Sequence, residues 1–86
     1  MKIAFENTKH KGYLDYVIEN IKNRNAGICF DSGHYHLHFN DELYFAKFKD
    51  RIFAVHLHDN DKSDDQHLIP FEGTIDWNNI IKELFD

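Results

Sequence analysis

Cysteine is nearly absent, with Cys29 alone in 86 residues. A single thiol cannot form an intramolecular disulfide, which excludes the cystine-stapled scaffolds of small secreted chains and makes a cytoplasmic protein the expectation. Basic charge is also in short supply: Lys and Arg number 10 against 15 Asp and Glu, for a formal charge of −5. That balance argues against a basic nucleic-acid-binding module and against attachment to an anionic membrane surface. No run approaches the ~18 apolar residues that span a bilayer, and Met1 to Glu6 has no signal-like apolar stretch. The chain does have 42% hydrophobic residues, enough for the thin core of one small domain over residues 1–86.

Three apolar segments read as strands, near 2–7, 27–31 and 51–58, each rich in Ile, Val or Phe and ending in polar residues. Leu14, Val17, Ile18 and Ile21 share one face of a helix near 12–24, which should stop around Asn25-Ala26-Gly27. Asn40 or Asp41 can cap a second helix near 41–49. Asp76 can cap a third, near 76–85, with Trp77, Ile80, Ile81 and Leu84 in one stripe. Strands alternating with helices at this spacing predict βα units and a parallel sheet, because parallel neighbours need a crossover.

Residues two apart on a strand share a face. Ala4 and Glu6 therefore go together, as do Cys29 and Asp31, and Ala54 and His56. Each strand carries a small residue followed by a metal-ligand type near its C-terminal end. Ile3, Phe5, Ile28, Phe30, Phe53, Val55 and Leu57 fall on the opposite face, for helices to cover. Glu6, Asp31 and His56 are spaced at equal intervals of 25 residues, which predicts that they lie abreast at one end of the sheet. Parallel sheets build their sites at that end. Two carboxylates and an imidazole suit Mn²⁺, Mg²⁺, Co²⁺ or Zn²⁺, without choosing among them.

More donors follow. His34 lies just past Asp31 around a glycine turn, and Asp65 and His67 lie in the segment between His58 and Asp76, which is too long for a mere connector. Asp59, Asp61 and Asp64 read mainly as a solvated acidic face, and His10, His36 and His38 as surface polar groups. His58 could bind substrate, support a ligand or face solvent. Cys29 reads as interior packing.

The segments Phe5-Glu6-Asn7-Thr8, Phe30-Asp31-Ser32-Gly33-His34, Val55-His56-Leu57-His58-Asp59-Asn60, Asp65-Gln66-His67 and Gly73-Thr74-Ile75-Asp76-Trp77, in this order, resemble the xylose isomerase-like TIM barrels. That group includes sugar isomerases and epimerases and the apurinic/apyrimidinic endonuclease family 2. The resemblance implies strands five to seven of a (β/α)8 barrel. It also implies that Glu6, Asp31 and His56 are metal ligands, with Glu6 in addition an acid/base. In the endonuclease branch, His34, Asp65 and His67 would hold a further zinc; in the isomerase branch, His34 would contact the sugar. His58 is a second candidate for substrate contact.

A complete barrel needs ~250 residues. The expectation is thus a C-terminal barrel piece, a shortened gene product or a cut one, lacking the last strand, where the family places a second catalytic glutamate. Neither Glu72 nor Glu83 stands at that position. The resemblance implies a divalent-metal-dependent isomerase or epimerase of a sugar or sugar phosphate, working through an enediolate. The alternatives are a zinc-dependent abasic-site endonuclease, the one case with a nucleic-acid partner, and a catalytically silent remnant. An open three-stranded sheet exposes two edges, so a homo-oligomer that buries them is expected.

Overall fold

Branched and aromatic side chains crowd the three segments that form strands. The computed structural model describes residues 1–39 and 44–85. Among these, β1 (Ile3–Glu6), β2 (Ala26–Asp31) and β3 (Ile52–His56) form one parallel sheet in the order β1-β2-β3. The central strand, β2, is buried along its whole length. Ile28 and Phe30 have no exposure, and they anchor a cluster that also takes in Leu14 and Ile18 from α1 (Lys11–Asn20). Burial of each such side chain is worth about 1.5–3 kcal/mol. The expected covering of the opposite face does not extend to the edges: Ile3, Val55 and Leu57 remain about half exposed.

Helix α1 ends at Asn20, several residues before the expected stop, and Ile21 is already extended. The second helix differs more. It is α2 (Ser32–His38), starting directly at the end of β2, where the Asp31 side chain accepts a hydrogen bond from the His34 amide at 2.9 Å. The helix expected near 41–49 is not formed as such: residues 40–43 lie outside the described residues, and Ala46–Arg51 is a 3₁₀ helix. A carboxylate that could serve as ligand or as N-cap hid the helix start, since Asp31 does the capping.

Helix α3 (Trp77–Phe85) is capped as expected, Asp76 accepting from the Asn79 amide at 3.3 Å. Trp77 and Ile80 are buried and Leu84 packs on the core, but Ile81 is exposed. The inward position belongs instead to Glu83, whose Oε1 accepts from the Tyr35 hydroxyl at 2.8 Å and the Phe45 amide at 2.9 Å. This carboxylate anchors an aromatic group in which Phe30, Tyr35, Phe39, Tyr44 and Phe45 meet mainly edge to face. At the other end of the sheet Arg51 donates to the carbonyls of Ala26 (2.7 Å) and Ile21 (3.1 Å).

The long segment after β3 is organised by Asp59, which is fully buried and not part of a solvated acidic face. Its Oδ1 accepts from the amides of Asn60 (2.8 Å) and Ile75 (3.1 Å), and its Oδ2 from Phe71 N (3.0 Å) and Trp77 Nε1 (2.9 Å). Its backbone also pairs with Leu68 in an antiparallel bridge. Burial opposes ionisation, but the donors from Trp77, Ile75 and Asn60 outweigh it and hold the carboxyl below its ordinary pKa.

Replacing Asp59 by Ala strands these donors and should lower stability by about 3 kcal/mol or more in denaturant titrations at neutral pH. Because the folded pKa is depressed, the Asp59 contribution is complete above the ordinary carboxylate range and disappears as pH falls through the folded value. The gap between wild type and Asp59→Asn should accordingly narrow on acidification, and a gap that widens would contradict the assignment.

Candidate metal centre

The strand ends are held together by polar side chains just past them. Asn7, fully buried, donates from Nδ2 to the Asp31 carbonyl at 3.0 Å and accepts from the Asp31 amide at 2.7 Å, extending the β1–β2 ladder by a side chain. Ser32 does the same for β2 and β3: its Oγ donates to the His58 carbonyl at 2.6 Å and accepts from the His58 amide at 2.9 Å. Asn60 Nδ2 reaches the Gly33 carbonyl at 3.0 Å. These three braces were not anticipated; the polar residue directly after β1 and after β2 was the available signal, whereas Asn60 stands four residues past the end of β3.

Glu6, Asp31 and His56 do share one face and one end of the sheet. They are not all abreast, however: Asp31 pairs with His56, whereas Glu6 pairs with Cys29. The equal sequence spacing overlooked the register: the β1–β2 offset sets Glu6 against Cys29, while an irregularity in β3, where Ile28 pairs with Ile52 but Cys29 with Ala54, brings His56 level with Asp31. The β1–β2 offset is odd all the same, so Glu6 keeps the ligand face and stands one same-face step behind Asp31.

Side-chain reach closes that step. His56 Nδ1 lies 3.3 Å from Glu6 Oε1 and 3.8 Å from Asp31 Oδ2. Oxygens of Glu6 and Asp31 also come within 4.8 Å of each other and of His34, and Cys29 lies as close to Glu6 and His56. Asp31 is nearly inaccessible, Glu6 and His34 are partly buried, and His56 is exposed. Burial opposes charge on Asp31, but the His34 amide and the His58 and His34 rings more than offset it, so its pKa is lowered. Burial pushes the Cys29 thiol upward, and the Glu6 and Asp31 carboxylates add to the effect.

His34 joins this set to the long segment. Its Nδ1 is 2.8 Å from the Asn7 carbonyl, and since a carbonyl only accepts, that nitrogen carries the hydrogen. Nε2 is then the free donor atom, 3.2 Å from Asp65 Oδ2. A lone pair facing a carboxylate needs a proton or a cation between them. Burial of His34 disfavours protonation, but the Asn7 contact and the Asp31 and Asp65 charges prevail, and its pKa is raised. His67 Nε2 approaches the same oxygen at 3.3 Å. His58 is 12% exposed at its side chain, stacked on His67 with ring centroids 4.2 Å apart, and packed on Gly33. His36 instead bonds Thr74 Oγ1 at 2.8 Å, while His10 and His38 are exposed.

Residues 1–86 match the family described as xylose isomerase-like TIM barrel. An uncharacterized protein of Sinorhizobium fredii is 42% identical over 60 residues, covering 69% of this chain and 19% of that protein. An uncharacterized protein of Methanocaldococcus jannaschii is 40% identical over 68 residues, covering 79% of this chain and 26% of the relative. The chain thus spans about a quarter or less of the curated relatives it matches. The crystal structure of a D-tagatose 3-epimerase-like protein superposes with a TM-score of 0.83 at 30% identity, covering 98% of this chain and 36% of that one. The three parallel strands are accordingly an arc of a TIM barrel.

Glycine at position 33 is required by the His58 ring, which a Cβ there would overlap, whereas a Cβ at Gly12 meets nothing within 4 Å. Gly33→Ala should cost about 1–3 kcal/mol and shift the His58 ring resonances. Gly12→Ala should add about 0.5–1 kcal/mol. Denaturant midpoints of the two variants check the pair, and equal effects would contradict the packing.

Proposed function

The chain belongs to the xylose isomerase-like TIM barrel family, and on that premise we propose that it forms the metal-binding arc of a divalent-metal-dependent sugar or sugar phosphate isomerase or epimerase. The observation that carries this reading is the placement of His56 Nδ1 at the C-terminal ends of the strands, 3.3 Å from a Glu6 oxygen and 3.8 Å from an Asp31 oxygen. The donor set fits a hard or borderline cation: two carboxylates and an imidazole lie close together, and Asp31 is buried in its ionised form. Glu6, Asp31 and His56 would hold Mn²⁺, Co²⁺, Mg²⁺ or Zn²⁺. When bound, such an ion supplies Lewis-acid polarisation of a carbonyl and a template for adjacent oxygens.

The remaining roles fall to the chain. Glu6, partly open to solvent, takes the proton next to the substrate carbonyl with its carboxylate. Asn7 keeps β1 and β2 in register, so that Glu6 and Asp31 hold their separation. His34, its Nδ1 hydrogen committed to the Asn7 carbonyl, presents Nε2 for hydrogen bonding to a sugar hydroxyl. The segment organised by Asp59 covers the site from the β3 side. A second glutamate on a further strand of the barrel would return the proton. Half-exposed Ile3, Val55 and Leu57 at the sheet edges favour association with another chain, a second copy included.

One observation favours a second reading, a zinc-dependent abasic-site endonuclease: His34 Nε2 and His67 Nε2 both flank Asp65 Oδ2. The acidic balance of the chain weighs against a nucleic-acid surface on this part.

In a full-length relative, exchanging the glutamate that matches Glu6 for Gln should lower kcat for metal-dependent sugar conversion by about 10²–10⁴-fold with little change in KM. Retained kcat removes Glu6 from the chemistry. Nicking of abasic DNA by the same relative, abolished by replacing the residue that matches His67, would favour the second reading instead.

A further inference from the structure

The two oxygens of Asp31 are used unequally. Oδ1 accepts from the His34 amide at 2.9 Å and lies 2.8 Å from His58 Nε2. Oδ2 instead faces the Nδ1 atoms of His34 and His56, at 3.7 and 3.8 Å. One oxygen is thus engaged by donors of the chain, and the other turns toward the residues that would surround an ion.

The contact with His58 fixes where that ring carries its hydrogen. A carboxylate oxygen only accepts, so a nitrogen 2.8 Å from it has to bear a hydrogen. His58 Nδ1 stands 4.0 Å from Asp65 Oδ1, beyond hydrogen-bond reach, and neither atom has another partner. A hydrogen on Nδ1 alone would set the Nε2 lone pair against Asp31 and gain no bond in exchange. The N–H lies off the straight line to Oδ1. Its effect on Asp31 is felt all the same: burial opposes the charge, and the His34 amide and the His58 ring together overcome it.

We propose that His58 is a positioning residue for Asp31 and not a substrate contact: its Nε2 hydrogen, with the His34 amide, holds Oδ1 and leaves Oδ2 as the one oxygen offered to a cation. The inference rests on the metal-binding reading for what Oδ2 then holds. A carboxylate with one oxygen so engaged binds through the other alone and takes one coordination position instead of two. More of the ion is left for adjacent substrate oxygens. A group that positions another has to be immobile, and this ring is. Ser32 Oγ bonds both the His58 carbonyl and the His58 amide, a Cβ at position 33 would overlap the ring, and His67 stacks on it at 4.2 Å with an interplanar angle of 2°. Both ring nitrogens are buried, out of reach of a sugar hydroxyl.

Two measurements on the 86-residue chain test this. Long-range proton–nitrogen correlation spectra of the metal-free chain at about pH 8.5, above the ordinary histidine range, should show the His58 hydrogen on Nε2; a hydrogen on Nδ1 overturns the assignment. CoCl₂ titration followed by visible absorption then separates donation from packing. His58→Gln keeps an N–H donor without the ring and should hold cobalt nearly as well as the wild type. His58→Phe keeps a flat ring between Gly33 and His67 without nitrogens and should bind about 10–100-fold more weakly. The reverse order, or equal affinity in the two variants, overturns the positioning role. If His58→Phe loses its circular dichroism, a loss of affinity in a folded His58→Gln still overturns it. A wild-type chain that takes up no cobalt counts against the metal-binding reading itself, and the nitrogen spectra then decide the His58 contact alone.

Discussion

The arrangement of this site depends on one buried carboxamide. Asn7 binds both backbone groups of Asp31 with its side chain and, through its own carbonyl, accepts from His34. Parallel strands have no hairpin to set their register, so the pairing of β1 with β2 has to be fixed by other means. The amide of Asn7 acts as one more residue of ladder beyond the strand end. Because Glu6 is the residue before it and His34 is bonded to it, three chemically active side chains take their positions from a residue that has no reactive chemistry. A substitution there would disturb the site without removing any donor from it.

The parallel sheet and its site end were legible because they follow from local pattern. Parity alone puts Glu6, Asp31 and His56 on one face, and the apolar stripe of Leu14 and Ile18 identifies the inward side of α1. Register was not legible, since it depends on loop lengths and on the irregularity opposite Ile28 and Cys29. Glu6 stands beside Cys29 through the β1–β2 offset alone, and the irregularity instead aligns His56 with Asp31. The roles of carboxylates were the other blind spot. Asp31 is both candidate ligand and helix cap, Asp59 is the buried centre of a loop, and Glu83 replaces Ile81 in the inward stripe of α3. Asp31 caps its own helix, while Asp59 and Glu83 take most of their donors from backbone and aromatic groups distant in sequence; composition assigns such residues to solvent.

Polar braces and apolar core divide the labour by layer. The aromatic group around Phe30 and Phe45 packs α2, α3 and the 3₁₀ helix on one side of the sheet. On the other side stand mainly small residues and ligands, with the Phe53 ring lying against Gly27 because of the irregularity in β3, so there is little hydrophobic surface to hold that layer. Asn7, Ser32, Asn60 and Asp59 supply the order there through hydrogen bonds, which are directional where packing is not. That division suits a site whose donor atoms need fixed separations.

Cys29 sits at the meeting point of the two layers, buried beside Glu6 and His56 with its thiol held protonated by burial and by two nearby carboxylates. Thiol reagents attack the thiolate, which this environment suppresses. In the folded chain both the burial of Cys29 and its raised pKa slow alkylation, and separation of β2 from its neighbours exposes the sulfhydryl. An internal reporter of sheet opening is thus built into the sequence, readable without adding a label.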